Sequence, residues 1–181
     1  GNALLTSKKH KNGTERINEI SKKIKASLII DIQGDEPLLD PNHIDKVIEF
    51  HKKNLHFDIV LPTLKFKNPD QKNIVKVVSD KLNKVLYLSR STIPYSFKKK
   101  PKFYKKHLSI ISFKPEALKK YCNNPATKIE KIENIELMRA LEIGLNLGTF
   151  EIKGSDFAVD VNADLLRAID VMPKDKIRKL Y

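Results

Sequence analysis

IIDIQGDEPLLDP, residues 29–41, changes character in its middle. An apolar run stops at Gln33-Gly34, the acids Asp35 and Glu36 follow, and the chain turns at Pro37. Residues 28–32 form a short apolar run with no alternation, which is the pattern of a strand buried on both faces. Asp40-Pro41 then supplies a helix cap and a first-turn proline, and Ile44, Val47 and Ile48 line one face of the helix that follows. A strand, an acidic turn and a helix in direct succession are the unit of an α/β fold.

The rest of the chain continues this pattern. Upstream, Asn12-Gly13-Thr14-Glu15 has the form of a capping box, and Ile17, Ile20 and Ile24 follow at helical spacing. Downstream, residues 57–64 are a second apolar strand, with Pro62 near its end. Residues 74–78 and 85–88 flank a polar turn and read as an antiparallel hairpin. Further strands are expected at 108–113, 149–153 and 157–161. Pro115 opens a short helix, a long helix is expected over 129–143, and another over 164–172. The expected class is therefore α/β, with a mostly parallel, Rossmann-like sheet flanked by helices and a hairpin inserted at 74–95. All of it fits one domain over residues 1–181.

Composition narrows the function. With 40% hydrophobic and 31% charged residues the chain reads as globular and soluble. No apolar run approaches the roughly 20 residues of a membrane helix, and no signal peptide is visible, so no membrane partner is expected. A single cysteine, Cys122, excludes an internal disulfide and suits a reducing cytoplasm. The net charge of +13 invites a nucleic-acid reading, but only five of the 35 basic residues are arginine. Arginine is what bidentate contacts to guanine and phosphate require. The lysines read instead as a solvated surface able to draw in an anionic substrate.

Six glycines build neither a dinucleotide fingerprint nor a P-loop, and the five histidines lack metal-cluster spacing. What remains is the acidic end of the first strand. Ligands of open α/β sheets bind beyond the carboxyl ends of strands. Gly34 lets the backbone turn and a ligand come close, and paired acids there suit Mg²⁺. A capped, solvated turn is the alternative. Asp160, an acid within a second apolar strand segment, favours the metal, because such an acid is costly unless paired or ligating. A haloacid-dehalogenase phosphatase is excluded, since Asp31 is followed two residues on by Gln33 instead of a second aspartate.

Taken together, HKNGTERI, IDIQGDEPLLDP, NIVKVVSD, LYLSRSTIPY, KKHLSIISF, KIEKIENIELMRALEIG and AVDVNADL resemble the 3-deoxy-manno-octulosonate cytidylyltransferases, in the same order and over nearly the whole chain. The resemblance implies a nucleotide-diphospho-sugar transferase-like fold. It also implies transfer of CMP from CTP to the anomeric hydroxyl of an acidic sugar, with release of pyrophosphate, for lipopolysaccharide or another surface glycan. It assigns Asp35 and Asp160 to catalysis and to Mg²⁺. Gln33, Arg90, His107 and Glu136 fall to the sugar acid, and Gly13, Thr14, Arg16 and Gly34 to the nucleotide pocket. It further implies a homodimer built partly from the hairpin.

This sequence departs from the family pattern in three places. The family opens with a strand and an arginine- and lysine-bearing loop that grips the triphosphate, and this chain starts inside that point. Weak activity of the 181 residues alone is therefore expected. Ile111 stands where the family usually has tyrosine, and Leu137 where it has glutamine. Losing two hydrogen-bonding groups points to an altered ulosonate, such as an amino-substituted or differently configured acid. The competing readings are CMP transfer to a sialic-acid-like sugar, a non-catalytic remnant, and a basic nucleic-acid-binding module.

Overall fold

The computed structural model describes residues 2–154, 158–159, 161–175 and 177. Seven strands lie among them: β1 (Ile29–Ile32), β2 (Ile59–Phe66), β3 (Lys76–Ser79), β4 (Val85–Ser89), β5 (Tyr104–His107), β6 (Ile110–Phe113) and β7 (Leu147–Glu151). They form one sheet in the order β1-β6-β2-β5-β3-β4, with β7 on the other edge of β2. The expected mostly parallel, Rossmann-like sheet is not what forms. The strand pairings are antiparallel except for β2 with β7, which is parallel.

The reason is physical. An apolar run without alternation reports burial on two faces and carries no information about direction. β1 and β2 do run the same way, as a strand–helix–strand unit requires, but β6 is threaded antiparallel between them: Ile30 and Val60 both pair with Ser112. β1 is an edge strand, but both of its faces are covered: Ile29 packs on one apolar cluster and Ile30 on the other, and only Ile32 at its end is exposed.

The helices are α1 (Gly13–Ser21), α2 (Pro41–Lys53), α3 (Pro115–Cys122), α4 (Lys128–Glu133), α5 (Leu137–Glu142) and α6 (Asn162–Val171). Their starts follow the expected chemistry. The Asn12 side chain accepts from Glu15 N at 2.9 Å and opens α1. Asp40 accepts from Asn42 N at 2.9 Å, with Pro41 in the first turn of α2. α1 stops at Ser21, however, and leaves Ile24 exposed.

The sheet separates two apolar clusters. Along β2, Ile59 and Leu61 belong to one cluster and Val60 and Leu64 to the other, as alternate side chains of a strand must. The first cluster packs under α3, α4 and α5, with Leu118, Tyr121, Ile135 and Met138 at its centre. The second packs under α2 through Val47. His51 on that helix is fully buried but satisfied, with Nδ1 2.7 Å from Ser112 Oγ and Nε2 3.2 Å from Phe57 O.

Pro62 sits mid-strand in β2, not near its end. β2 pairs with β6 at Ile59 and Val60 and with β5 from Thr63 onward, so Pro62 falls where its partner changes. A residue without an N–H is tolerated at such a gap in the ladder. The Pro62 carbonyl still accepts from Leu108 N at 3.2 Å.

The expected hairpin forms from β3 and β4, closed by Asp80, whose Oδ1 accepts from Leu82 N and Lys84 N at 2.8 Å. The single long helix expected over 129–143 is instead two short ones. Asn134 adopts a left-handed φ of 52° after α4, which ends that helix, and the chain turns before α5 begins. The strand expected at 157–161 lies partly outside the described residues; Ala158 and Val159 belong to no strand.

Candidate functional site

Beyond the carboxyl end of β1 lies a polar cavity of about 450 Å³, with walls from α1, β1, β5, β6 and the turn between α4 and α5. Thr14, Gln33, Asp35, Arg90, His107 and Glu136, all expected from sequence, line it. Thr14 and Glu136 are 122 residues apart, yet the threonine hydroxyl donates to Glu136 Oε2 at 3.0 Å. The helix break at Asn134 puts Glu136 there; an unbroken helix would not make that turn.

Three expected residues do not line the cavity. Gly13 opens α1, and Arg16 donates to Thr6 Oγ1 at 2.9 Å and to Ser7 O at 3.2 Å. Gly34 lies in the turn after β1, but a Cβ there would meet nothing within 4 Å, and its φ is outside the left-handed region. Neither the turn nor a close contact demands glycine at that position. Asp160 lies outside the described residues. The segment before it does approach the site: Val159 N donates to Asp35 O at 2.9 Å, and Ala158 lines the cavity.

The chemistry of the lining is uneven. The Asp35 carboxylate is exposed at the cavity and takes no hydrogen bond from the described residues. Glu36 is turned inward, and its Oε1 accepts from Ser109 N at 3.3 Å, tying the acidic turn to the β5–β6 junction. Arg90 spends four donors on backbone carbonyls: Nε on Glu133, Nη1 on Lys72 and Asn73, and Nη2 on Asn134, at 3.0–3.3 Å. It therefore braces the loop after α4 against the chain before β3, in addition to facing the cavity. His107 encloses an unpaired Nδ1, and burial pulls its pKa down to about 4, so the imidazole is neutral at pH 7.

One acid was missed by sequence reasoning. Asp31, in the middle of β1, is 7% exposed and lines the cavity. Burial first, and then the nearby Glu136 charge, push its pKa up to about 6. Burial likewise raises Glu136, an effect that the Thr14 hydroxyl partly opposes. The signal was present in IIDI: an acid within an apolar strand is costly unless something compensates it. The argument applied to Asp160 holds equally for Asp31. Among the described residues, no group of three His, Cys, Asp or Glu side chains is arranged to hold a metal ion. Among the described residues, no helix is long and apolar enough to cross a membrane.

Comparison with known proteins agrees with this geometry. A family model described as Cytidylyltransferase matches residues 1–151. A 3-deoxy-manno-octulosonate cytidylyltransferase of Fusobacterium nucleatum is 38% identical over 184 residues, covering 98% of this chain and 74% of that protein. The corresponding protein of Koribacter versatilis is 34% identical, covering 94% of this chain and 66% of its own length. Among solved structures, a CMP:2-keto-3-deoxy-manno-octonic acid synthetase complexed with CTP superposes with a TM-score of 0.90 at 28% identity, covering 96% of this chain and 73% of that one. A putative glucose-1-phosphate thymidylyltransferase from Bacillus anthracis, at 18% identity and a TM-score of 0.57, shares the fold alone. A match of this extent, on a chain whose cavity gathers six of the residues that the resemblance singled out, places it in the cytidylyltransferase family, among the 3-deoxy-manno-octulosonate cytidylyltransferases.

Proposed function

We infer that this protein transfers CMP from CTP to the anomeric hydroxyl of 3-deoxy-manno-octulosonate or a close 3-deoxy-ulosonic acid, for lipopolysaccharide or another surface glycan. The observation that carries the reading is the 0.90 TM-score match to a synthetase holding CTP. In the reaction, the sugar's hydroxyl oxygen forms a bond to the α-phosphorus. The bond from that phosphorus to the bridging oxygen breaks, pyrophosphate leaves with the electron pair, and the hydroxyl proton is released. Such a step depends mainly on positioning and on charge neutralisation. Mg²⁺ supplies neutralisation when bound, and Asp35 fits it, because one free carboxylate plus substrate phosphates is a set that this ion accepts.

The chain's own residues do the positioning. Gln33 and neutral His107 offer hydrogen bonds to the sugar acid but no charge. Arg90 holds the walls of the cavity at a fixed spacing through its four carbonyl contacts. The test is pyrophosphate release with CTP, Mg²⁺ and the sugar acid. Release should require all three. Asp35→Ala should lower kcat/KM about 100-fold without unfolding the chain. A folded chain that neither binds CTP nor releases pyrophosphate would refute the reading.

The hairpin is the proposed dimer element, and the exposed Leu82, Leu86 and Tyr87 on it support this. Sedimentation should show a dimer that Leu86→Glu dissociates; a wild-type monomer at tens of micromolar would overturn it. A cytoplasmic setting suits the unpaired thiol of Cys122.

A further inference from the structure

The Asp31 carboxylate has no hydrogen-bond or ion-pair partner among the described residues, although only 7% of the residue is exposed and that part faces the cavity. The cross-strand neighbour is Ile111, and the residue after Glu136 is Leu137; both are aliphatic, and both line the same cavity. These walls lower the local dielectric and offer no donor. Among the described residues, the charge that bears on Asp31 is another carboxylate, Glu136. Glu136 receives one hydroxyl, from Thr14, which satisfies a lone pair but cancels no charge.

The candidate cations do not answer this deficit. Arg90 lines the cavity, but four of its donors are committed to backbone carbonyls. His107 is neutral, with an enclosed Nδ1 that has no partner. Lys106 also lines the cavity, and it has contacts of its own. A buried carboxylate without a cation is costly, and it is stabilised most by an ionised donor. If the acceptor is a sugar acid, it brings a further negative charge into the same space. Mg²⁺ at Asp35 serves the phosphates, so the positive charge that would compensate Asp31 and Glu136 is one that the acceptor can bring.

We propose that Asp31 and Glu136 form an ammonium-receiving subsite, and that the acceptor is a 3-deoxy-ulosonic acid with an amine where 3-deoxy-manno-octulosonate has a hydroxyl. This rests on the sugar-acid reading above and makes it more specific. Asp31 acts by holding the ammonium, and so determines specificity without touching the reacting phosphorus. A hydroxyl at that position would offer the pair a donor but leave its charge uncompensated. The discrimination therefore rests on charge, since a hydrogen bond from an ionised donor to a carboxylate is roughly twice as strong as one between neutral groups.

The test is binding, read by calorimetry at pH 7.5 on this chain with CTP and Mg²⁺ present. The probes are 3-deoxy-manno-octulosonate and a panel of analogues in which one hydroxyl at a time is replaced by a primary amine. At least one amine should bind about tenfold or more tightly than the parent acid. That preference should fall to near unity in Asp31→Asn and in Glu136→Gln, two isosteric variants whose folding is checked by circular dichroism. Binding of the parent acid alone, or equal binding of all, overturns the proposal and leaves the sugar-acid reading intact. Binding of CTP with no sugar acid bound overturns both. An Asp31-dependent heat with Mg²⁺ alone also overturns it, since the pair would then be a metal site.

Discussion

Arg139→Met should destabilise the fold by about 3–5 kcal/mol, the usual result of leaving one member of a buried ion pair alone. Arg139 Nε lies 2.7 Å from Glu130 Oε2, and Nη2 lies 2.6 Å from Oε1, a bidentate fork with both side chains buried. Its guanidinium also sits 4.4 Å from the ring centre of Tyr121 and donates to Asn124 O at 3.2 Å. Burial alone would raise the Glu130 carboxyl. The Arg139 hydrogen bonds and the Thr127 N–H outweigh it, and the net shift is downward. A carboxyl depressed in the folded state stabilises above its unfolded pKa of about 4.3. That stability is lost as the pH falls through the lower folded value. The pair spans the break between α4 and α5, so the variant also frees the turn that carries Glu136. Urea denaturation at pH 7 measures the effect, and Glu130→Met/Arg139→Met should recover most of the loss. A loss below about 1 kcal/mol for the single variant would show that the pair is not what holds the break.

Asp31→Asn should act in the opposite direction and stabilise the empty protein at pH 7 by about 3 kcal/mol. Asp31's pKa is pushed up to about 6 from an ordinary 3.8, and one unit is worth about 1.4 kcal/mol. Because the folded chain binds this proton more tightly than the unfolded one, stability falls as pH rises from about 4 to about 6, and the cost is complete above that. Asparagine removes the charge at nearly constant shape and should flatten that limb. Glu136 is raised as well and shares the slope, so part of it persists in the variant. Thermal melts at pH 4.5 and 7.5 decide this. If wild type and variant melt alike at pH 7.5, Asp31 has a partner or a water path that relieves it.

These two acids show what the sequence made readable and what it did not. Local chemistry was legible: Asn12 and Asp40 cap the helices they precede, Pro115 opens α3, and the polar loop around Asp80 closes the hairpin. Short-range hydrogen bonds are written in adjacent residues. Sheet direction was not, because Ser112 reaches both Ile30 and Val60 from far along the chain, and no local pattern encodes that insertion. The break at Asn134 was also hidden. Acids, lysines and isoleucines keep helical spacing on both sides of it, and the Arg90 contacts to Glu133 and Asn134 come from a distant loop. Most of the expected residues that line the cavity came from the family resemblance. Asp31 was found only when its burial became visible.

Pro62 has a further consequence, in the order in which the chain leaves the ribosome. β2 is an apolar run whose partners, β5, β6 and β7, are all made after it. Until residues 104–113 and then 147–151 emerge, both edges of this strand lack their final partners. Such a segment is a template for pairing with a neighbouring nascent chain. A proline in its centre removes one backbone donor and interrupts any continuous ladder that a stranger could form. In the finished sheet the same proline sits where the partner strand changes, and there it costs little. The proline would thus hinder foreign pairing from a position where the mature sheet changes partner strand.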